Sequence, residues 1–474
     1  MIIVITLLTY FILLFGVSKL TATRTESNES FFRAGRRSPW YMVAFGMVGA
    51  SISGVTFVSV PGMVTRIDMT YLQTCMGFVL GYFVVAFILL PLYYRLNLTS
   101  IYTYLGQRFG RKTYQVGAWF FLLSKMSGAA VSFYVVCIIL QRFVLDAIHV
   151  PFAITVIVMV ALIWLYTRRG GIKTLVWTDS FQTLCLISAL ILIIIHVINA
   201  LNMTFDEAMT SVYNNSMSRV FVFDDWKTTQ NFWKQFISGI FIVIVMTGLD
   251  QDKMQKNLTC KTLRGAQKDM CTYGFAFIPV NFLFLVLGIL LVMLSAKQGI
   301  TLPTSGDELL PQFAATGSLG TSVVILFTIG IVAASFSSAD SALTSMTTSY
   351  CVDIKDSSSD EALRRRAHLV ISILFAIFIL LFKAINSTSV IDAIYILCSY
   401  TYGPLLGLFA FGLLTHRDVC DRFVPYIAVA SPILCWIIEI MALRLTGYKF
   451  GYELLMLNGL LTYTGLLTIS IKRK

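Results

Sequence analysis

Long apolar stretches recur along this chain of 474 residues, and they constrain its fold more than any other feature of the sequence. About 20 apolar residues are enough for a helix to cross roughly 30 Å of hydrocarbon. Because lipid offers no hydrogen-bond partners, the backbone of a spanning segment must pair with itself as a helix or within a closed barrel. Barrel strands alternate apolar and polar residues, and the run 184–197 (LCLISALILIIIHV) does not. The sequence therefore predicts an all-α polytopic membrane protein.

Charged residues are too few to cover the surface of a soluble protein of this size. They make up 13% of the chain, about half the usual share. The net charge of +12 suggests a nucleic-acid-binding protein at first sight. The basic residues fall instead in short segments between the apolar stretches, as the positive-inside rule predicts. We therefore expect a lipid bilayer and a small-molecule substrate as partners, with no nucleic acid and no obligatory protein partner.

We mark thirteen apolar segments as membrane spans, with boundaries that are good to about two to four residues. They are residues 1–20, 38–64, 72–96, 114–145, 151–166, 174–199, 232–252, 272–296, 319–350, 367–386, 389–414, 423–443 and 451–471. The hydrophilic stretches 200–231 and 297–318 contain no soluble domain. Residues 1–474 are therefore predicted to form a single integral membrane domain.

The distribution of Lys and Arg predicts the orientation of these spans. Of the 36 basic residues, 25 lie on one side, in alternate loops or directly beside them. Those loops are 21–37, 97–113, 167–173, 253–271, 351–366, 415–422 and the tail 472–474. Such an excess marks the cytoplasmic side of a membrane. With thirteen spans, the N-terminus is predicted to lie outside the plasma membrane and the C-terminus in the cytoplasm.

An acidic group inside a membrane span raises the free energy of insertion by roughly 2.5–3.5 kcal/mol, so its presence there indicates a functional role. Asp340 lies deep in the ninth span, between Ser337 and Ser341, which are one helical turn apart and share a face. A glycine-rich break is predicted at 49–54 (GASISG) in the second span. Freed carbonyls at such a break, together with hydroxyls, form coupling-ion sites in secondary transporters. Small residues are also typical of close helix packing, but packing alone does not require a carboxylate.

Several motifs resemble those of the sodium:solute symporter family, in family order and over nearly the whole chain. They are 170–182 (GGIKTLVWTDSFQ), 250–256 (DQDKMQK), 337–354 and 49–62. The resemblance implies the LeuT-type fold, with two inverted five-helix repeats at 38–199 and 232–414. One extra helix, 1–20, would precede the repeats and two helices, 423–471, would follow them.

The resemblance also implies sodium sites. The main sodium site of the family falls on the carbonyls of Gly49, Ile52 and Ala334 and on the hydroxyls of Ser337 and Ser338. A second sodium site of the sialic-acid branch falls on Asp179, Ser337, Asp340 and Ser341. Asp340 replaces a serine of that branch, which leaves open a stronger cation site or a structural polar network. The buried carboxylates of Asp179 and Asp340 require a compensating positive charge. No Lys or Arg of the sixth or ninth span lies deep enough to pair with them. We therefore predict that more than one sodium ion binds.

Substrate contacts are implied less directly. Ser53 and Thr56 match positions that hold substrate in the sialic-acid branch, whose carboxylate-binding arginine falls here on Gly128. Lys125, one turn earlier, either supplies the missing charge or extends toward the membrane surface. The remaining candidates are Tyr71, Gln73, Asp250 and Gln251. An aromatic belt residue is the alternative for Tyr71, and a helix cap is the alternative for Asp250 and Gln251.

The predicted function is symport of sodium with a small polar solute. The hydroxyls and amide of Ser53, Thr56 and Gln73 suit a monosaccharide or polyol. A carboxylate, a sialic acid or an amino acid is the alternative substrate, and a transporter-like membrane sensor is the alternative from another class of protein. No nucleophile, base and oxyanion set is visible, so we do not expect an enzyme. Sodium is the only ion expected.

Overall fold

The computed structural model is helical almost throughout and describes residues 2–21, 28–146, 149–224, 226, 228–315, 317–385 and 390–471. Its α-helices, numbered in chain order, are α1 (Ile2–Thr21), α2 (Asn28–Arg33), α3 (Trp40–Ser51), α4 (Gly54–Ile67), α5 (Tyr71–Val84), α6 (Leu90–Arg95), α7 (Thr103–Arg108), α8 (Arg111–Leu140), α9 (Phe152–Ala200), α10 (Phe205–Tyr213), α11 (Phe232–Val243), α12 (Gln251–Asn257), α13 (Leu263–Gln298), α14 (Leu309–Ala314), α15 (Thr321–Ser349), α16 (Glu361–Ile385), α17 (Val390–Thr401), α18 (Gly403–Leu414), α19 (Val424–Thr446) and α20 (Leu454–Thr468). Single π-helical turns follow four of them, at Val85–Leu89, Gln141–Leu145, Ile244–Gly248 and Tyr350–Ile354. Two short strands, β1 (Asp418–Val419) and β2 (Ser470–Ile471), pair antiparallel.

The described part of the chain contains seven helices that are long and apolar enough to cross a membrane. They are Tyr71–Arg95, Arg111–Leu140, Gly171–Ala200, Leu263–Gln298, Thr321–Ile354, Glu361–Ala384 and Val424–Thr446. Two bent pairs also qualify, Trp40–Ser51 with Gly54–Ile67 and Phe232–Gly248 with Gln251–Asn257. Shorter apolar helices occur at Ile5–Thr21 within α1, at Phe152–Arg168, which is the part of α9 before a kink at Gly171, at Gly403–Leu414 and at Leu454–Thr468. Because these four are shorter than a full span, the count of thirteen spans stays a prediction.

The predicted break in the second span is present. Helix α3 ends at Ser51 and α4 begins at Gly54, and the two axes differ by 61°. Among the described residues, backbone bonding stops with the N–H of Ile52, which donates to Val48, and resumes with Phe57, which donates to Ser53. The carbonyls between these two bonds are therefore left without backbone donors.

Glycines allow this broken segment to lie directly against its neighbours. A Cβ atom at Gly49 would meet Thr183 Oγ1 of α9 at 1.9 Å, and a Cβ atom at Gly54 would meet Ser335 Oγ of α15 at 2.0 Å. Neither contact leaves space for a side chain. The break is consequently held between α9 and α15, two helices that also pack extensively on each other.

A second break interrupts the seventh span. After the π-helical turn that ends at Gly248, α12 turns by 69° and continues to Asn257. This corrects the sequence prediction that the span ends at 252 and that Lys253 and Lys256 belong to a loop. Both lysines are buried, with 8% and 1% of their surface exposed. Their burial is possible because each ammonium group has anionic or carbonyl partners in the interior, described below.

Candidate functional site

A cavity of about 190 Å³ lies between the two breaks. Residues around both breaks line it, and α5, α8, α13 and α15 close its sides. Its lining consists of Ala50, Ser51, Ser53, Val55, Thr56, Phe78, Tyr82, Ser124, Lys125, Gly128, Ala129, Ser132, Ile242, Val243, Met246, Thr247, Asp250, Asp252, Lys253, Tyr273, Phe277, Ser338, Cys398 and Tyr402. The lining of the cavity therefore combines aromatic rings, hydroxyl groups and four charged groups. Since roughly 10–15 Å³ is enough for a single water molecule, the cavity has room for several waters.

Lys125 lies in the wall of this cavity. Its ammonium nitrogen is 2.6 Å from Asp252 Oδ2 and 3.2 Å from Asp250 Oδ2. The hydroxyl of Tyr402 donates to the same Asp250 oxygen at 2.7 Å. The side chain of Lys125 thus extends toward the first turn of α12 and does not reach for the membrane surface. Two carboxylates already neutralise its charge.

Lys253 carries the fourth charge of the cavity wall. Its ammonium nitrogen donates to the carbonyl oxygen of Ala50, at the break of the second span, at 2.8 Å. Asp252 Oδ2 is 3.9 Å away. Together with Lys125 and Asp250, these side chains form a buried cluster of two positive and two negative groups. Buried charges are tolerated when they are paired in this way.

The structure brings some residues of the predicted first sodium site close together. The hydroxyl of Ser338 donates to the carbonyl of Ala334 at 3.2 Å and to that of Ala50 at 3.3 Å, so it faces the same break as Gly49 and Ile52. The hydroxyl of Ser337 donates to Asp179 Oδ1 at 2.6 Å. Hydroxyl and carbonyl oxygens are the kind of ligand that sodium prefers, and the assignment of this site stays a prediction.

The residues predicted for a second sodium site lie together in the interior, with an additional partner. Asp179 Oδ2 is 2.7 Å from the ammonium nitrogen of Lys256. Asp340 accepts hydrogen bonds from the hydroxyls of Tyr166 at 2.6 Å and Ser341 at 3.1 Å. Lys256 was not expected as a partner because it lies beyond the predicted end of the seventh span at 252, and the sixth and ninth spans contain no basic residue deep enough to pair with Asp179. The signal was available in the motif 250–256, which contains Lys256.

Four of the predicted substrate contacts, Ser53, Thr56, Lys125 and Asp250, line the cavity. Gln73 does not, because its amide donates to Gln230 and accepts from the N–H of Val222, which ties α5 to the 200–231 segment.

Gln251 and Tyr71 also lie outside the lining. The amide of Gln251 donates to the carbonyl of Thr99 and accepts from the N–H of Ile101. The ring of Tyr71 packs edge-on against Phe78. The structure therefore does not bring Tyr71, Gln73 or Gln251 to the cavity.

Most of the aromatic and hydroxyl lining of the cavity was not predicted from the sequence. Tyr82 and Tyr273 form an edge-to-face pair with ring centroids 4.6 Å apart, and the hydroxyl of Tyr273 donates to Ser51 at the break. Thr247 lies at the second break. No motif marks these positions. The proximity of Thr247 to a predicted span end was the one available signal.

Two broken membrane helices that meet at a buried polar cavity are typical of secondary transporters. A family model described as "Sodium:solute symporter family" matches residues 31–419. The chain belongs to the sodium:solute symporter family, and sodium-coupled symport is the activity of that class.

The similar proteins include one relative that matches nearly the whole chain and others that match about half of it. The Sodium/sialic acid symporter NanT of Aliivibrio fischeri is 25% identical over 97% of this chain and 92% of the relative. The human Sodium/iodide cotransporter is 27% identical over 51% of this chain and 37% of the relative. Among solved structures, a Na⁺-coupled sialic acid symporter in a substrate-bound outward-open state superimposes with a TM-score of 0.85 at 19% identity, covering 100% of this chain and 99% of that chain.

A second solved structure confirms the fold at greater distance. The transporter Mhp1 in a closed conformation superimposes with a TM-score of 0.56 at 15% identity, covering 94% of each chain. Both structures are LeuT-like. The predicted all-helical, LeuT-type architecture is thus confirmed at the level of the fold.

Proposed function

We propose that this protein imports a small hydroxylated solute together with sodium through the cavity between the two breaks, by alternating access. One observation carries the proposal. The carbonyl of Ala50 accepts from Ser338, a predicted sodium ligand, and from Lys253, which lines the cavity. The ion and the solute would therefore share one broken segment, so that occupation of one site affects the other. Coupled transport requires such a coupling free energy between two distinct sites.

The size and lining of the cavity support a solute as large as a monosaccharide. The cavity of about 190 Å³ has room for several waters, and a small solute can take their place. Hydroxyls of Ser53, Thr56 and Thr247 offer hydrogen bonds, and the ring of Tyr82 offers an apolar face. The four charges of the wall cancel, which favours a neutral solute such as a monosaccharide or polyol.

A carboxylated solute is the second candidate, and Lys125 is the observation that favours it. Its ammonium group lies in the cavity wall, where an incoming carboxylate would compete with Asp250 and Asp252 for it. Two of the similar proteins carry sialic acid or iodide in their names, and both of these solutes are anions. The position of the branch's arginine holds Gly128, so an acid would have to be bound differently here.

The remaining predictions about architecture belong to the same proposal. We infer two inverted repeats at 38–199 and 232–414, because each of the two observed breaks falls in the first span of one repeat. We also infer a plasma-membrane location with the N-terminus outside and the C-terminus in the cytoplasm, on the distribution of basic residues.

Uptake into proteoliposomes tests the proposal. The purified protein is first screened by thermal shift against monosaccharides, polyols, sugar acids, sialic acids, monocarboxylates and amino acids, with sodium or choline as the cation. A ligand that binds only the folded state raises the unfolding temperature. Hits are then tested for accumulation driven by an inward sodium gradient. Accumulation of one class only with sodium supports the proposal, whereas sodium-dependent binding without any accumulation would favour a membrane sensor.

A further inference from the structure

The buried ammonium group of Lys253 holds a carbonyl at the edge of the proposed sodium site. Lys253 lies in the first turn of α12, and its nitrogen is 2.8 Å from the oxygen of Ala50. Ala50 lies between Gly49 and Ile52, whose carbonyls are proposed sodium ligands. The hydroxyl of Ser338, another proposed ligand, donates to the same Ala50 oxygen at 3.3 Å. Lys253 and the proposed sodium ligand Ser338 thus contact the same carbonyl oxygen, which places the ammonium group at the edge of the proposed sodium site.

Sodium and this ammonium group have the same charge and bind the same kind of oxygen atom, at neighbouring positions of the break. In a buried site two like charges a few ångströms apart repel strongly, because the effective dielectric is far below that of water. An entering sodium ion therefore weakens the contact between Lys253 and Ala50. The displaced ammonium has an alternative partner close by, since Asp252 Oδ2 is 3.9 Å away.

We propose that the ammonium group of Lys253 competes with sodium. It binds the Ala50 carbonyl when the ion is absent and moves to Asp252 when the ion enters. The proposal rests on the sodium site of the proposed function and adds a residue that sets the affinity of that site. The effect depends on the contact between α12 and the break of the second span.

Asp252 extends the effect of this exchange to the solute cavity. Its Oδ2 atom is already 2.6 Å from the ammonium nitrogen of Lys125. A carboxylate that gains a second ammonium partner binds the first less tightly, because the two cations repel each other. Lys125 is then more available to a polar or negative group of the solute. Ion and solute would be coupled through Lys253, Asp252 and Lys125, all of which line the cavity.

Sodium binding to the purified full-length chain, in the absence of solute, tests this inference. Binding is measured with radioactive sodium and by the rise of the unfolding temperature with sodium, while choline keeps the ionic strength constant. Lys253→Met removes the charge and retains most of the side chain's length. It should increase the apparent sodium affinity by about tenfold, since a competitor is lost. Lys253→Arg retains the charge and should stay within about twofold of the unchanged protein.

Matched variants separate this effect from a loss of folding. Lys268→Met changes a lysine of α13 that stacks on Trp40, away from the break, and should leave sodium binding unchanged. Lys253→Met combined with Asp252→Asn keeps the cluster neutral and should show the same increase as Lys253→Met. Unchanged or weaker sodium binding in both of these Lys253 variants would overturn the inference and leave the proposed function standing. A failure of the unchanged protein to bind sodium would overturn both.

Discussion

Lys256 and Asp179 form a buried ion pair, with the ammonium nitrogen 2.7 Å from a carboxylate oxygen and less than 2% of either residue exposed. The pair joins α12, the second half of the broken seventh span, to α9. Lys256 is thus the basic partner of Asp179, which the sixth and ninth spans do not provide. Asp340 has hydroxyl donors from Tyr166 and Ser341, and the described residues show no salt bridge to it. We therefore predict that Asp340, rather than Asp179, is the carboxylate that attracts a second sodium ion.

Breaking the Lys256–Asp179 pair should destabilise the protein. Lys256→Met or Asp179→Asn alone leaves a buried charge without its partner, which costs about 3–5 kcal/mol. The double variant removes both charges and should recover most of that loss. Thermal unfolding in detergent, analysed as a double-mutant cycle, measures the interaction. Additive losses in the double variant would show that the pair contributes little.

The number of sodium ions should depend on Asp340. We predict a Hill coefficient near two for sodium in uptake by the unchanged protein, and about one in Asp340→Asn, because an amide does not attract a cation as a carboxylate does. Sodium titration of uptake, with charge-to-solute ratios in proteoliposomes, measures this. A coefficient of one before any substitution would instead indicate a neutral network around Asp340.

Ser338 should determine how tightly sodium binds. Ser338→Ala removes one of a few oxygen ligands, and we expect the sodium concentration for half-maximal uptake to rise about tenfold or more. Ser337→Ala should have an effect in the same direction. Ser345→Ala is a matched control, because that buried hydroxyl lies two turns further along the same helix and donates to the carbonyl of Ala342. Equal sodium dependence in all three variants would contradict the first sodium site.

Gly128→Arg should shift the preference of the cavity toward acids. Gly128 lines the cavity, and a Cβ atom added there would meet nothing within 4 Å. A guanidinium group from this position offers a bidentate partner for a carboxylate. Competition of sialic acid or sugar acids against sodium-driven uptake should increase, whereas Gly128→Ala should leave the preference unchanged. An unaltered preference in a folded Gly128→Arg variant would mean that position 128 does not reach the solute.

Cysteine labelling should establish the orientation. A cysteine replacing Tyr213, which is exposed in the 200–231 segment, should react with an impermeant reagent added outside intact cells. A cysteine replacing Lys261, in the segment between α12 and α13, should react only after the membrane is opened. The unchanged protein, with its nine cysteines, provides the background. The reverse pattern would overturn the predicted topology.

The sequence alone determined the class, the fold and one of the two breaks. Runs of apolar residues have no stable alternative to helices in lipid, so the helical architecture follows from local composition. The break at 49–54 was also predictable, because glycines at Gly49 and Gly54 remove the side chains that would prevent close approach of α9 and α15.

The tertiary structure alone decided which polar groups meet. Lys253 and Lys256 looked like loop residues because local hydropathy ends the seventh span before them, and only the 69° turn of α12 returns both to the interior. Their partners Ala50 and Asp179 are 203 and 77 positions away in sequence. Gln73 and Gln251 looked like solute contacts, but each bonds the backbone of a distant segment. Such pairings depend on how helices pack against each other, because the energy of a buried charge or amide is set by partners that no local pattern specifies.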